Sequence, residues 1–444
     1  MHIRLLKIWE DIRGSYWFVP GVMALGALLL SLGTIALDGY FQTDVLRSLS
    51  FVWRGGPAGA RGILETVAGS MITVAGVTFS ITMVALSFAS SQFGSRLLRS
   101  FMADTRNQLV LGTFIATFIF CLLILRTVRG ADGGSEFVPY LSVTTGMLLG
   151  LVSLLVLIYF IHHMALSMQA PYVIGEVATD LLNSIDRLFP SETGRPAPAS
   201  HKDPEEIDLP DDFDDQARPL HSERNGYIQA IDDDELMRIA CQNDLLIKVL
   251  NRPGHFIMKG DRLACAGPGE WMDEKMESLI NQSFIVGKQR TLTQDVEFGI
   301  EQLVEVAERS LSPGINATFT AMTCIDWLGA ALARLMKKGF PSPYRYDAGG
   351  NLRIFFVRPL TLEGVINTTF DQIRQSGRNH VAIRIRLLEK IAALIEETEN
   401  EQARQALERQ ARMIQQENHD GQPAWDDQQD VHLRYQKIRT RSKS

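Results

Sequence analysis

The chain contains no phosphate-binding glycine loop, no GxGxxG, no HExxH, no nucleophile elbow and no CxxC pair. Its four cysteines, Cys121, Cys241, Cys265 and Cys324, have neither disulfide spacing nor Cys/His ligand spacing, so no metal or other cofactor is expected and no enzyme class is indicated. Three unpaired cysteines in a polar region suit a reducing compartment. No basic face or aromatic stacking set stands out against a net charge of -7, which argues against nucleic acid as a partner. What the sequence lacks most visibly is charge over long stretches. Four runs, Tyr16 to Leu37, Thr66 to Ser95, Asn107 to Leu125 and Phe137 to Ile161, carry no Asp, Glu, Lys or Arg. Each has the length of a membrane-spanning helix, which needs about 20 apolar residues. With no ionisable group inside any run, the usual mark of a proton pump or ion-coupled carrier is missing, and a passive pore stays open.

These runs predict helices over 16–37, 64–93, 107–128 and 138–165, the last continuing past His162 and His163 toward Asp180. Adjacent histidines point about 100° apart on a helix, so an interfacial or packing role is expected for them, not a metal. An interfacial amphipathic helix is expected over 95–107. The second run is the most informative. Thr66, Thr73, Ser80 and Ser87 recur every seven residues, with Ser70 and Ser91 on intervening turns and Gln92 and Arg96 at one end. One stripe of a helix therefore carries them. Two uses fit. Small residues such as Gly69, Ala75, Gly76, Ala85 and Ala89 let helices approach closely, and hydroxyls can bond their own backbone. Alternatively the stripe lines a polar path, within one subunit or among several copies.

From Met168 onward the composition is that of a soluble protein. Five segments are expected: a four-helix transmembrane domain over 1–180, an acidic Pro-rich linker over 181–222, a small β-rich subdomain over 223–270, an α+β subdomain over 271–398, and a charged helix and tail over 399–444. The β-rich part reads as a small barrel or sandwich, with strands at Gly226–Ile231, Leu245–Leu250, His255–Met258 and Arg262–Ala266. Helices follow at Thr293–Ser310 and Ala317–Lys338, then a hairpin through Gly349-Gly350, then helices at Leu362–Gln375 and Val381–Glu397. The continuation to Gln416 shows no clear apolar stripe, and Lys437–Ser444 reads as a disordered tail. The densest polar set in this half is Arg290, Thr291, Asp295, Ser312 and Asn316. Structural use of this set is the default, with Thr293 capping a helix whose first turn holds Asp295. An anion site using Arg290 and the helix N-terminus is the alternative.

The segment from Ser80 to Arg96, the stretch Arg290-Thr291 through Gln294-Asp295-Val296-Glu297-Phe298-Gly299-Ile300 to Ser312-Pro313-Gly314-Ile315-Asn316, and the turns Arg252-Pro253-Gly254 and Gly260-Asp261 together resemble a bacterial family of predicted membrane proteins defined by a domain of unknown function. The likeness covers most of the chain. It implies an α-helical membrane domain of four spans followed by a mixed α+β soluble domain, and it carries no chemistry. Ala317-Thr318 stand where that family carries Asp-Pro, so no role for an acid there is implied.

Six arginines and lysines on one side of the runs against five on the other give a weak positive-inside bias, which the basic N-terminus and the cysteines reinforce. The expectation is an inner-membrane protein of a bacterium with both termini cytoplasmic, embedded in lipid and assembled as a homo-oligomer. Its role is expected to be channel-like or transport-related, with the soluble domain regulating a path beside the second helix. A non-conducting scaffold or ligand sensor is the alternative.

Overall fold

The computed structural model describes residues 15–40, 53, 55–94, 104–130, 137–189, 213–338, 340–420 and 424–441. The chain divides into two compact units that meet in sequence between Tyr172 and Val173, somewhat before the boundary at 180 expected from composition. Gln92 is described, whereas Arg96 and the amphipathic segment expected over 95–107 lie outside the described residues up to 103.

The first unit holds four helices long and apolar enough to cross a membrane: α1 (Phe18–Tyr40), α2 (Pro57–Phe93), α3 (Thr105–Leu125) and α4 (Tyr140–Ser167). At 37 residues α2 is about 55 Å long at 1.5 Å per residue, well beyond a hydrocarbon core of about 30 Å. Half of the most apolar window of α3 is buried against its neighbours, twice the share found for α1 or α4, so α3 is the central helix. The close approach of α1 to α3 depends on Gly112, where a Cβ would come within 2.5 Å of the Met23 sulfur and 3.2 Å of Pro20 Cα. Outward-facing Leu25, Leu29 and Leu32 on α1, and Leu151, Leu155 and Ile158 on α4, leave an apolar surface suited to lipid.

α4 stops at Ser167, and α5 (Ala170–Leu188) starts after a turn at Met168 and Gln169, so the single continuous helix toward Asp180 is in fact two. The segment expected as a linker over 181–222 is also structured at both ends. Its first residues finish α5, and its last hold α6 (Phe213–Gln216) and β1 (Arg218–His221). Residues 190–212 lie outside the described residues.

The second unit then runs β2 (Gly226–Ile231), α7 (Asp233–Gln242), β3 (Leu246–Val249), β4 (Phe256–Ile257), β5 (Arg262–Gly267), α8 (Glu274–Ser283), β6 (Phe284–Gly287), α9 (Val296–Ser310), α10 (Thr318–Met336), β7 (Tyr344–Tyr346), β8 (Leu352–Phe356), α11 (Leu362–Ser376), α12 (Val381–Glu397), α13 (Glu401–Asp420) and α14 (Trp425–Arg441). The strands form two open sheets among the described residues, one of order β1-β5-β3-β8-β7 and one of order β4-β2-β6, and no closed barrel. β3 and β8 pair in parallel and every other pair is antiparallel. A barrel confined to the first strands is impossible because β3 takes β8, about a hundred residues later, as its neighbour. One core joins the sheets: Ile228 and Ile231 from one, Ile247, Leu263 and Ile354 from the other, closed by Leu236 and Ile239 of α7 and Ile280 of α8.

Helices α9 to α14 pack as a bundle, α9 on α10 and α11, α10 on α12, and α12 on α14. α13 has an apolar stripe after all, with Ala403, Ala406, Leu407, Ala411 and Ile414 buried. The stretch expected as a disordered tail belongs largely to α14, which buries Val431 and Ile438, two turns apart, and pairs Arg434 with Glu389.

Candidate functional site

α2 divides cleanly into two faces. Ala60, Leu64, Ala68, Met71, Ala75, Thr78, Thr82, Ala85, Ala89 and Phe93 are buried against the other helices of the unit. The stripe residues Thr66, Ser70, Thr73, Ser80, Ser87 and Ser91 are all exposed. At 100° per residue their mean direction is about 180° from that of the buried set, so the stripe points away from the chain's own helices. Gly62, Gly69 and Gly76 lie on the same outer face, and a Cβ built on any of them meets nothing within 4 Å. Val77 and Val84 share the face, while Gln92, half-buried, lies a quarter-turn off it. Among the described residues, therefore, no other helix of the chain lies opposite the stripe to enclose a path.

Four of the six stripe hydroxyls are satisfied within their own helix. Thr66, Thr73 and Ser80 donate to the carbonyl oxygens of Gly62, Gly69 and Gly76 at 2.7, 2.9 and 2.9 Å, and Ser91 donates to that of Phe88 at 2.8 Å. Thr66, Thr73 and Ser80 each sit one turn above a glycine, so over this stretch the seven-residue period is a repeated small pair that leaves a shallow face.

Polar contacts between helices gather at the two ends of the bundle. Asp38, just past the first apolar run, accepts the backbone N–H groups of Leu141 and Ser142 at 2.9 Å each and the Ser142 hydroxyl at 2.6 Å, so α1 caps the N-terminus of α4. At the opposite end Asp104 caps α3 through Arg106 N–H at 2.9 Å and meets His163 Nε2 at 2.8 Å, with Tyr159 stacked on the imidazole. His163 thus has a packing role, holding the Asp104 cap, in line with its expected use. Midway, the Thr117 and Ser153 hydroxyls bond at 3.0 Å. Asp38 and Asp104 escaped the sequence reading because each lies just outside a charge-free run, and only the fold brings it to a partner on another helix.

In the second unit the polar set separates. Arg290, Thr291 and Asp295 lie at the start of α9, Ser312 and Asn316 beyond its end, about 22 Å away along a 15-residue helix. Ser312 donates to Arg309 carbonyl oxygen, and Asn316, at φ 48°, shapes the turn into α10. At the other end, Asp295 is itself the N-cap, accepting Phe298 N–H at 3.1 Å, while Thr293 receives the Thr291 hydroxyl. Arg290 is fully engaged. Its Nε and Nη2 donate to Asp295 at 2.7 and 3.0 Å, its Nη1 to both Glu301 oxygens at 2.8 and 2.7 Å, and it lies over the Phe298 ring. Burial works against the guanidinium charge, but the two carboxylates outweigh it and raise the Arg290 pKa. With all three guanidinium nitrogens engaged and the helix end capped from within, the described residues use Arg290 and that helix N-terminus structurally and show no opening there for an anion.

The same stretch ties distant parts together. Gln294 bonds both the N–H and the carbonyl of Ile231 in β2, at 2.8 and 3.0 Å. Glu297 pairs with Arg252 at 2.6 Å, and Gly254, at φ +95°, would place a Cβ 2.5 Å from Asp295. The Arg252-Pro253-Gly254 turn and the Arg290 stretch are thus one contact in space. Gly299 lets α9 lie against Leu181 of α5, and Arg187 of α5 donates to the Leu292 and Thr293 carbonyls at 3.0 and 3.2 Å. Asp186 of α5 also pairs with Arg334 and Lys338. Among the described residues no group of three His, Cys, Asp or Glu side chains is placed to hold a metal ion.

The chain is similar to an uncharacterised protein of Mycobacterium tuberculosis strain H37Rv and to an uncharacterised protein of Mycobacterium bovis, 29% identical to each over 420 residues, which cover 93% of this chain and 77% of either relative. No solved structure matches it. Residues 13–393, which take in all four apolar helices and both halves of the Arg252–Arg290 contact, match the family of predicted membrane proteins known as DUF2254, and the chain belongs to that family.

Proposed function

We propose that this membrane protein is an oligomer of the bacterial inner membrane in which copies meet through the open face of α2, that this face borders a polar path, and that the second unit lies in the cytosol and controls the path. One observation carries the reading: the outer face of α2 combines three uncovered glycines with a run of hydroxyls. A helix that met only lipid would gain from large side chains there, as α1 and α4 have them, whereas small residues permit close backbone approach by another helix. The control element is α5, which follows α4 after two residues and is fastened to the rest of the second unit through Leu181, Asp186 and Arg187.

Purified protein in proteoliposomes should conduct an ion or small solute, and Ser80→Leu or Ser87→Leu should reduce that flux while the protein stays folded. A wild-type oligomer that never conducts across voltage, tension and ionic conditions would remove the path. In that event the second reading holds, a non-conducting scaffold, and a specific observation favours it: Thr66, Thr73, Ser80 and Ser91 already bond their own helix, so the stripe can pack dry.

A further inference from the structure

A cleft of about 260 Å³ opens in the second unit where the ends of α5, β2 and β8 meet the start of α9. Its walls are mostly apolar, with Phe189, Ile231, Val296, Pro341, Phe356 and Leu360 among them. Five charged side chains also reach it: Asp233, Arg252, Asp295, Arg345 and Arg358. Three of its polar groups are already used. Asp295 is held by Arg290, Arg252 by Glu297, and Gln294 by the backbone of Ile231. The rest are not balanced. Asp233 starts α7 at the cleft wall, where burial raises its carboxyl pKa and Arg345 lowers it in part. Arg345 lies over the Phe356 ring, 5.4 Å from its centroid, and donates to the Ser342 carbonyl. Arg358 is exposed and makes no ion pair among the described residues. Two guanidiniums therefore face one carboxylate at this wall, and since Arg290 lies between Asp295 and Glu301 the surroundings balance overall, so what the cleft holds in reserve is the guanidinium of Arg358, which has no ion-pair partner among the described residues.

A guanidinium presents five N–H donors in a planar fork that matches the two oxygens of a carboxylate or phosphate. Beside it, the apolar walls would take a non-polar body out of water. The volume lies just below the range of roughly 300–1,000 Å³ for drug-sized ligands, which admits a single ring and its anionic group and excludes a dinucleotide. We propose that this cleft binds a small, soluble organic anion, a carboxylate or phosphate ester on a ring-sized apolar body, with Arg358 and Arg345 gripping the anion and Phe356 and Leu360 covering the body. The site stands independently of the reading of α2, since every group in it belongs to the second unit.

The test is equilibrium dialysis of the full chain, in phospholipid-free detergent, against radiolabelled phenyl phosphate. Saturable binding at one site per chain is expected, with benzoate competing and with inorganic phosphate and phenol each at least about tenfold weaker, because each offers only half of the recognition. Arg358→Gln should weaken binding by roughly 10- to 100-fold, the loss of one charge-assisted hydrogen bond, without changing the melting temperature. No saturable binding of either phenyl phosphate or benzoate up to about 10 mM, a free energy near that of random contact, would overturn the site. Unchanged binding in Arg358→Gln would overturn it as well. Inorganic phosphate binding as tightly as phenyl phosphate would overturn the apolar half, and displacement by micellar phosphatidylglycerol at equal concentration would overturn the assignment to a soluble ligand.

Discussion

In the first unit a hydroxyl is satisfied by the carbonyl one turn below it on the same helix; in the second, a charge is satisfied by a partner tens of residues away. Thr66, Thr73 and Ser80 illustrate the first case, and Arg252 with Glu297 or Arg353 with Asp244 the second. The same cost is being met in both, that of a polar group without a partner away from water. Apolar helices meet it locally, which leaves their outer faces free to touch lipid or another helix. The folded α+β unit meets it through long-range pairs, which lock its elements together. A substitution at a stripe hydroxyl should therefore be nearly silent for stability, and one at a long-range pair should not.

The largest effect is expected at Arg290. Arg290→Leu strands the almost fully buried Asp295 carboxylate and removes two hydrogen bonds from Glu301, and breaking a buried pair from one side costs about 3–5 kcal/mol. Chemical unfolding followed by the fluorescence of Trp271 and Trp327 should show it. Ser80→Ala, followed in the first unit by thermal melting in detergent, should stay within about 0.5 kcal/mol, as for ordinary surface changes. If the two variants were equally stable, the contrast between the units would fail.

Next comes Gly254→Ala, at φ +95° and with a Cβ 2.5 Å from Asp295. Both the strain and the displaced carboxylate act on the same contact, and a loss of about 1–3 kcal/mol is expected from the backbone strain. The loss should be smaller when measured in Arg290→Leu, since the two sites share Asp295. Full additivity would show that the turn and the α9 start are not one contact.

Asp38 tests one of the exceptions in the first unit, a long-range cap between helices. Asp38→Ala removes the acceptor of two backbone N–H groups and one hydroxyl, and a cap of this kind is worth about 0.5–2 kcal/mol. Thermal melting in detergent should register it, with Asp38→Asn partly rescuing. A neutral Asp38→Ala would mean that the end of α4 is capped by solvent.

The four spans were legible because a charge-free run is a one-dimensional signal, and so was the hairpin at Gly349-Gly350, which the turn glycines announce. α13 was not, since three of its five core residues are alanines spread among thirteen charged or amide side chains, a stripe too faint for periodicity to show. β1 was hidden by its brevity and by the acidic stretch before it. At the polar set, the sequence placed Arg290 and Asp295 beside the start of α9 but could not reveal that Asp295 is the cap, or that Arg252, nearly forty residues earlier, and Ile231 complete the contact. Nor could it say which way the α2 stripe points, because the period fixes a common face without fixing what lies opposite.

The smallest effect expected is a pH slope. Burial lowers the His255 pKa, helped by Arg252, Arg358 and Arg290 and opposed by Glu297. A histidine whose folded pKa is depressed below its unfolded value of about 6.5 favours the fold above that pH, and its contribution is lost as pH falls through the folded pKa. Denaturation midpoints should therefore decline below about pH 6.5 more steeply in wild type than in His255→Gln. Parallel curves would remove His255 from the balance.

The central claim, that copies meet through the open face of α2, is tested most directly by disulfide trapping in native membranes. In a Cys241→Ser, Cys265→Ser background, single cysteines at Thr73, Gly76 and Ser80 should form cross-linked dimers on mild oxidation, because facing Cα atoms must lie within about 7 Å to be bridged. Cysteines at Ile72 and Phe79, about 100° round the helix, should not. Monomers only at Thr73, Gly76 and Ser80, or equal cross-linking at Ile72 and Phe79, would contradict the account.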